Sequence, residues 1–134
     1  IPAGGSRRPF SSELEPEEVL MSIADGRAVF SKAVDMMAGS ARAAMARAGI
    51  GVADVAHFVP HQANARIIEA TRRQLGLAPE VTLSSVAEYG NSSAATIPLT
   101  LSLRAEECGY RHGDRLLFTA AGAGLTGGAV VWGW

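Results

Sequence analysis

The sequence predicts an α/β fold whose sheet is mixed, mostly parallel and five-stranded. Three observations carry that prediction. Short apolar runs alternate with longer stretches of helical periodicity, in the order β-α-β-α-β-α-β-β. The last two apolar runs are joined by the glycine-rich turn "GAGLTGG", which makes a hairpin and adds an antiparallel member. At 134 residues and 48% hydrophobic content, the chain has the size and composition to bury one core.

The first 18 residues are rich in Gly, Pro, Ser and charge and read as a loop or linker. The folded domain is expected to run from 19 to 134. "VLMSI" (19–23) is the first strand candidate. In the helical stretch from about Asp25, Phe30, Val34, Met37, Ala41, Met45 and Ala48 recur at steps of three and four. They define one apolar stripe, and Gly49 and Gly51 stop it. "VAHFVP" (55–60) is the second strand. A second helix runs from about Asn64 to Leu75, with Ile67, Thr71 and Leu75 on one face, and Gly76 closes it.

"VTLSSV" (81–86) is the third strand, "YGN" a turn, and Asn91 or Ser92 a helix cap. The third helix is expected over 93–107, with Pro98 early in it, where a missing N–H costs least. Its first half, "SAATIPLTLSL", carries no charge, so burial on all sides is expected. "DRLLFTAA" (114–121) and "AVVWGW" (129–134) are the last two strands.

Composition excludes some functions. A net charge of −1 gives no basic field for nucleic acid. No apolar run approaches the ~20 residues that span a bilayer. A single cysteine excludes an internal disulfide and points to a reducing, cytoplasmic compartment. The start "IPAGGSRRPF" has neither an initiator methionine nor the apolar core of a signal peptide. It reads as a loop from a longer chain.

Polar residues gather at two strand-to-helix junctions. "VPHQANARI" (59–67) places His61, Gln62 and Asn64 together. The partial positive charge of a helix N-terminus keeps an imidazole neutral, and a neutral ring can donate to a developing oxyanion. The plainer reading is a structural histidine at a capped junction. "YGNSSAA" places Asn91 at a second junction. In a parallel sheet both junctions lie on the strand C-terminal edge, where ligands bind in α/β folds, and Asn91 supplies a donor that never ionises. A turn-and-cap asparagine is the commoner explanation.

Other signals are weaker. "GAGLTG" matches a dinucleotide fingerprint in letters only, since a strand and not a helix follows it. His57 and His61 are four apart, roughly 13 Å along a strand, too far to share a metal ion. Cys108 lies at the negative end of a helix beside Glu106 and Glu107, which opposes thiolate formation. Arg66, Arg72 and Arg73 form either a solvated face or a docking patch for an acidic partner.

"VPHQANARII" and "GNSSAATIP", with "DGRAVFSKAV" before and "GAGLTGGAVV" after, closely resemble the C-terminal half of β-ketoacyl-ACP synthase III, a thiolase-fold condensing enzyme. The resemblance implies a thiolase-like half-domain, with the apolar third helix covered by the other half. It implies decarboxylative condensation of an acyl-CoA with malonyl-ACP, in the setting of fatty-acid or secondary metabolism. His61 and Asn91 would stabilise the enolate, and the backbone N–H of Ala123 would sit in the acyl-enzyme oxyanion hole.

By the same resemblance, Asn64 and Gly26 would meet the pantetheine arm, and Arg66 and Arg73 would meet the acyl carrier protein. CoA and ACP thioesters would be substrates, with a relative that uses CoA throughout as the alternative, no resident cofactor or metal would be needed, and the complete enzyme would be a homodimer. Gly127 stands where the family often has an aromatic, a departure expected to alter the acyl pocket. The nucleophilic cysteine does not match Cys108 and belongs to an N-terminal half. Condensation by these residues alone is therefore not expected. The chain reads as a fragment of a synthase, with a natural subunit or a non-catalytic CoA or carrier-binding module as the alternatives.

Overall fold

The computed structural model describes residues 3, 4, 6–20 and 25–134. Helix α1 (Pro16–Val19) lies at the end of the expected linker. The Glu18 carboxylate accepts from the backbone N–H of Glu15 at 3.1 Å and pairs with Arg8 at 2.7 Å. The strand expected over 19–23 is therefore not formed at its start: Val19 ends α1, and residues 21–24 lie outside the described residues.

Helix α2 (Gly26–Ala48) starts where the Asp25 carboxylate accepts from the Ala28 N–H at 2.9 Å. It ends at Gly49, whose φ of 66° lets its N–H turn back onto the last carbonyls. Val34, Met37, Ala41 and Met45 are buried as the stripe predicts. Ala38 joins them, Phe30 is half-buried, and Ala48 is exposed because the stripe drifts off the core in the last turn.

Strand β1 (Val55–Pro60) leads into α3 (Ala65–Leu75). Asn64 caps α3 with its carbonyl oxygen on the Ile67 N–H at 2.9 Å, and Gly76 closes it at φ 76°. Ile67, Thr71 and Leu75 face the core as expected, together with Ile68. Strand β2 (Arg115–Gly122) pairs parallel with β1 and antiparallel with β3 (Thr126–Gly133), in the order β1-β2-β3. Helix α2 packs along β2, β3 and α3. Met45 clusters with Val55 and Phe58, and Met37 with Val34 and Ile67. Helix α2 thus runs antiparallel to β1, and its N-terminus lies toward the C-terminal edge of the parallel strands.

Among the described residues the sheet has three strands rather than five. The expected strand 81–86 shrinks to one parallel bridge between Thr82 and Phe58, flanked by the Leu83 N–H on the Phe58 carbonyl at 2.8 Å. Pro79–Val81 turns as a 3-10 helix on one side of it, and α4 (Val86–Tyr89) begins on the other. Between them the backbone bonds to a side chain instead of a strand, since Ser85 and Val86 donate to Gln62 Oε1 at 2.9 and 3.2 Å.

The third helix is also divided. A 3-10 turn (Ser93–Ala95) is followed by α5 (Thr96–Leu103) and α6 (Ala105–Cys108), with the break at Arg104. Two Arg104 nitrogens donate to the Ser84 carbonyl at 3.0 and 2.8 Å, and a third contact pairs the guanidinium with Glu88. The side chain thereby fastens the break to the α4 segment. Nor is α5 buried on all sides. Thr96 and Thr100 point inward, whereas Ile97, Leu99, Leu101 and Leu103 are half-buried and Pro98 is exposed. On β3, Ala129 and Val131 face α2, while Val130 and Trp132 on the opposite face are exposed. Trp134 is exposed too and packs on Tyr110 with ring centroids 4.7 Å apart.

Candidate active site

The end of β1 makes the site. His61 follows Pro60, and its backbone N–H donates to the Thr119 carbonyl at 2.8 Å, so the residue is fixed to β2 one step past the ladder. Its ring lines a cavity of about 410 Å³ on the C-terminal edge of the two parallel strands. Ser93, Ala121, Gly122, Thr126 and Gly127 line other parts of the wall. This is the edge at which α/β folds bind ligands. His61 Nδ1 lies 2.7 Å from Thr96 Oγ1, and burial pushes the imidazole pKa below its ordinary value.

Gln62 is wholly buried and joins the two polar junctions. Its Nε2 donates to the Pro60 carbonyl at 2.7 Å, and its Oε1 accepts from Ser84 Oγ, Ser85 N and Val86 N. The segment it grips leads through α4 and Gly90 to Asn91. Asn91 is exposed, and its Oδ1 accepts from the Ser93 N–H at 3.0 Å, which leaves its NH2 group to donate. Thr96 reaches His61 directly, and Ser93 lines the same cavity. Asn91 itself does not line the cavity and stands two residues before Ser93.

Of the remaining sequence-derived positions, Asn64, Gly26 and Ala123 stand at element ends toward that edge, whereas Arg73 lies in the last turn of α3, away from it. Asn64 is the exposed cap of α3, and its own carbonyl oxygen is used by that helix. Gly26 opens α2, with open space where a Cβ would stand. Ala123 begins the turn between the paired residues Gly122 and Thr126, and Gly124 and Leu125 in that turn have φ of 76° and 54°. The glycine-rich motif is therefore a hairpin, as its sequence context required. Arg66 and Arg73 are both exposed on α3. Glu69 pairs with Arg73 at 2.5 Å and with Arg72 at 2.7 Å, and these guanidinium hydrogen bonds hold its carboxyl down to about pKa 2. Arg72 turns inward to the Leu77 carbonyl.

Two further titratable groups lie outside the cavity lining. His57 Nε2 lies 3.6 Å from Asp114, and the ring meets Tyr110 edge-on. Burial pushes the Cys108 thiol pKa up, against a hydrogen bond from Tyr110 that lowers it. Met36 was not singled out in the sequence. It reaches from α2 so that a Cβ on Gly127 would lie 2.4 Å from its Cγ and Sδ. The thioether occupies the space beside Gly127, the position at which the resembled family often has an aromatic. Thr96 and Gln62 were equally unassigned. The one sequence signal for the former was two threonines four apart, Thr96 and Thr100, in an otherwise apolar helix.

The fold and the edge site define a thiolase-like α/β domain. Residues 45–134 match the family described as 3-oxoacyl-[acyl-carrier-protein (ACP)] synthase III C terminal, and the chain belongs to that family. It is 48% identical over 131 residues to a 3-oxopimeloyl-[acyl-carrier-protein] synthase of Brucella abortus, covering 98% of this chain and 40% of the relative. It is 50% identical to the protein of the same name from Rhodothermus marinus, covering 100% and 39%. A beta-ketoacyl-[acyl-carrier-protein] synthase III of Solibacter usitatus is 41% identical, covering 100% and 40%. The chain thus spans about two-fifths of the length of these relatives.

Among solved structures, the 3-oxoacyl-(acyl carrier protein) synthase III of Pseudomonas aeruginosa superposes with a TM-score of 0.78 at 44% identity, over 82% of this chain and 34% of that one. The synthase III from Thermus thermophilus does so with a TM-score of 0.79 at 41% identity, over 90% and 38%. No described helix is long and apolar enough to cross a membrane.

Proposed function

We propose that the complete protein carrying this chain is a synthase III-type condensing enzyme, and that this chain supplies its enolate-stabilising donors. The observation that carries the reading is His61. It lies in the cavity on the strand C-terminal edge, neutral through burial, with Nδ1 engaged by Thr96 so that Nε2 is the ring nitrogen left for a ligand. The Asn91 NH2 group is assigned as the second donor; its Oδ1 is engaged by the Ser93 N–H, on a segment that Gln62 anchors at residues 84–86 and that Thr96 joins to His61.

In the proposed reaction the C–CO2⁻ bond of a malonyl thioester breaks. Carbon dioxide leaves, and its bonding electrons become an enolate whose oxygen His61 and Asn91 hold. The enolate carbon then attacks an acyl thioester on a cysteine outside this chain, and the thiolate departs. The Ala123 N–H is assigned to the oxyanion of that second step. Asn64 and Gly26 border the path of the pantetheine arm. Arg66 and Arg73 form the carrier-protein contact, with Arg66 the stronger contributor because Glu69 already neutralises Arg73.

The test is His61→Ala and Asn91→Ala in the full-length protein, assayed for carbon dioxide release from malonyl-ACP and for β-ketoacyl product. Losing one preorganised donor should lower kcat about 10²–10³-fold. Unchanged carbon dioxide release in both variants would remove these residues from the mechanism.

A more particular substrate is favoured by the two relatives named for 3-oxopimeloyl-ACP. A seven-carbon product that draws two carbons from malonyl needs a five-carbon acyl group ending in a carboxylate. Competition between such a thioester and acetyl-CoA decides the matter. Preference for acetyl-CoA would place the protein with the general synthases instead.

A further inference from the structure

We propose that Thr96 is a positioning residue that selects the tautomer of His61, keeping Nδ1 as the acceptor and the ring proton on Nε2. The inference rests on the reading of His61 as an oxyanion donor and adds the group that makes it one.

The argument is a count of protons. Thr96 is 1% exposed, and its hydroxyl has one hydrogen to give. Two acceptors lie within reach, His61 Nδ1 at 2.7 Å and the Ser93 carbonyl at 2.9 Å. If the hydrogen goes to Ser93, Nδ1 must carry its own proton to satisfy the contact. Nε2 is then a bare lone pair, which repels an oxyanion. If the hydrogen goes to Nδ1, Nε2 keeps the proton and can donate to an oxyanion. Neither arrangement strands a buried group, since the Ser93 carbonyl also accepts from the backbone N–H of Thr96; only the second leaves Nε2 as a donor, which is what the oxyanion reading of His61 requires.

Both sides of the contact are fixed. Ser85 Oγ lies 2.6 Å from Thr100 Oγ1. The Thr100 hydroxyl donates to the Thr96 carbonyl at 2.7 Å, and Ser85 N donates to Gln62 Oε1 at 2.9 Å. A buried ladder of hydroxyls therefore runs from the residue after His61 round to the residue that grips its ring.

The experiment uses the full-length protein with 15N-labelled histidine, and reads the ring nitrogens of His61 by NMR at a pH where the ring is neutral. The wild type should show Nδ1 unprotonated and Nε2 protonated. Thr96→Val keeps the shape but removes the hydroxyl, so it should release the ring into a mixture of tautomers. It should also lower kcat about 10–100-fold, the usual cost of losing a partner that orients a functional histidine, with KM little changed. Thr96→Ser should restore both readings.

A wild-type ring protonated on Nδ1 overturns the proposal, as does a folded Thr96→Val variant with unchanged ring signals. If Thr96→Val does not fold, the wild-type spectrum decides alone. Full activity in His61→Ala would instead refute the donor reading, while the tautomer spectra still stand or fall on their own.

Discussion

Replacing Gln62 with leucine removes hydrogen bonds without changing the side-chain volume much. In the folded protein two buried groups then lose a partner, the Ser85 N–H at 2.9 Å and the Pro60 carbonyl at 2.7 Å. Ser84 Oγ and the Val86 N–H also lose theirs, but they are partly exposed and can turn to water. Each orphaned buried group costs about 1–3 kcal/mol, so two cost about 2–6 kcal/mol. The more apolar side chain recovers about 1 kcal/mol of burial, which leaves a net loss of about 3 kcal/mol. Urea unfolding of the full-length protein, wild type against Gln62→Leu, measures this as a shift in midpoint with the slope unchanged. A loss below 1 kcal/mol would show that the 84–86 segment holds its place without Gln62, and the reasoning would be wrong. The same variant should also lower kcat, because the gripped segment leads to Asn91.

Three further outcomes are expected. Gly127→Ala drives its methyl into Met36 and should cost about 1–3 kcal/mol, with much of that recovered in Gly127→Ala/Met36→Ala; strict additivity in the double-mutant cycle would refute the contact. Asn64→Ala removes the cap of α3 and should cost about 1 kcal/mol in thermal or urea unfolding, whereas Asn64→Asp should be close to neutral. Glu69 has its pKa held down to about 2 in the folded state, against an ordinary value of 4.5. Its ion pairs therefore add stability that is fully present above pH 4.5 and is lost as the pH falls toward 2. Glu69→Gln should flatten the acid limb of the stability profile, and an unchanged limb would show that the pairs are screened by solvent.

Elements whose ends are written locally were legible. Asn64 and Gly76 bracket α3, and both caps form, so the expected span from about Asn64 to Leu75 matches the helix to within one residue. The same holds for β1 and for the turn that makes "GAGLTG" a hairpin rather than a phosphate loop. The failures share a different cause. Residues 81–86 have the composition of a strand, but the side chain of Gln62, 23 and 24 residues away in sequence, takes the N–H groups of Ser85 and Val86 that a ladder would use. Arg104 likewise divides a helix through contacts to Ser84 and Glu88, which no local pattern announces.

The candidate site follows the same division. His61 and Asn91 could be picked out as polar residues at strand-to-helix junctions. Thr96, Gln62 and Met36 act across the fold, and only the assembled geometry shows them. The apolar character of α5 was read correctly from "SAATIPLTLSL". In this chain alone its inward row consists of threonines engaged in hydrogen bonds, and its apolar residues Ile97, Leu99, Leu101 and Leu103 stay half-buried, as a helix awaiting cover by another half would.

The outer face of β3 has a spectroscopic consequence. Both tryptophans of the chain, Trp132 and Trp134, lie at its end and are 56% and 45% exposed. Neither belongs to the core under α2, so their emission carries little information about that core's packing. It reports instead on the polarity just outside the last strand. A shift of the emission maximum to shorter wavelength marks the covering of that one face, with no label attached to the protein.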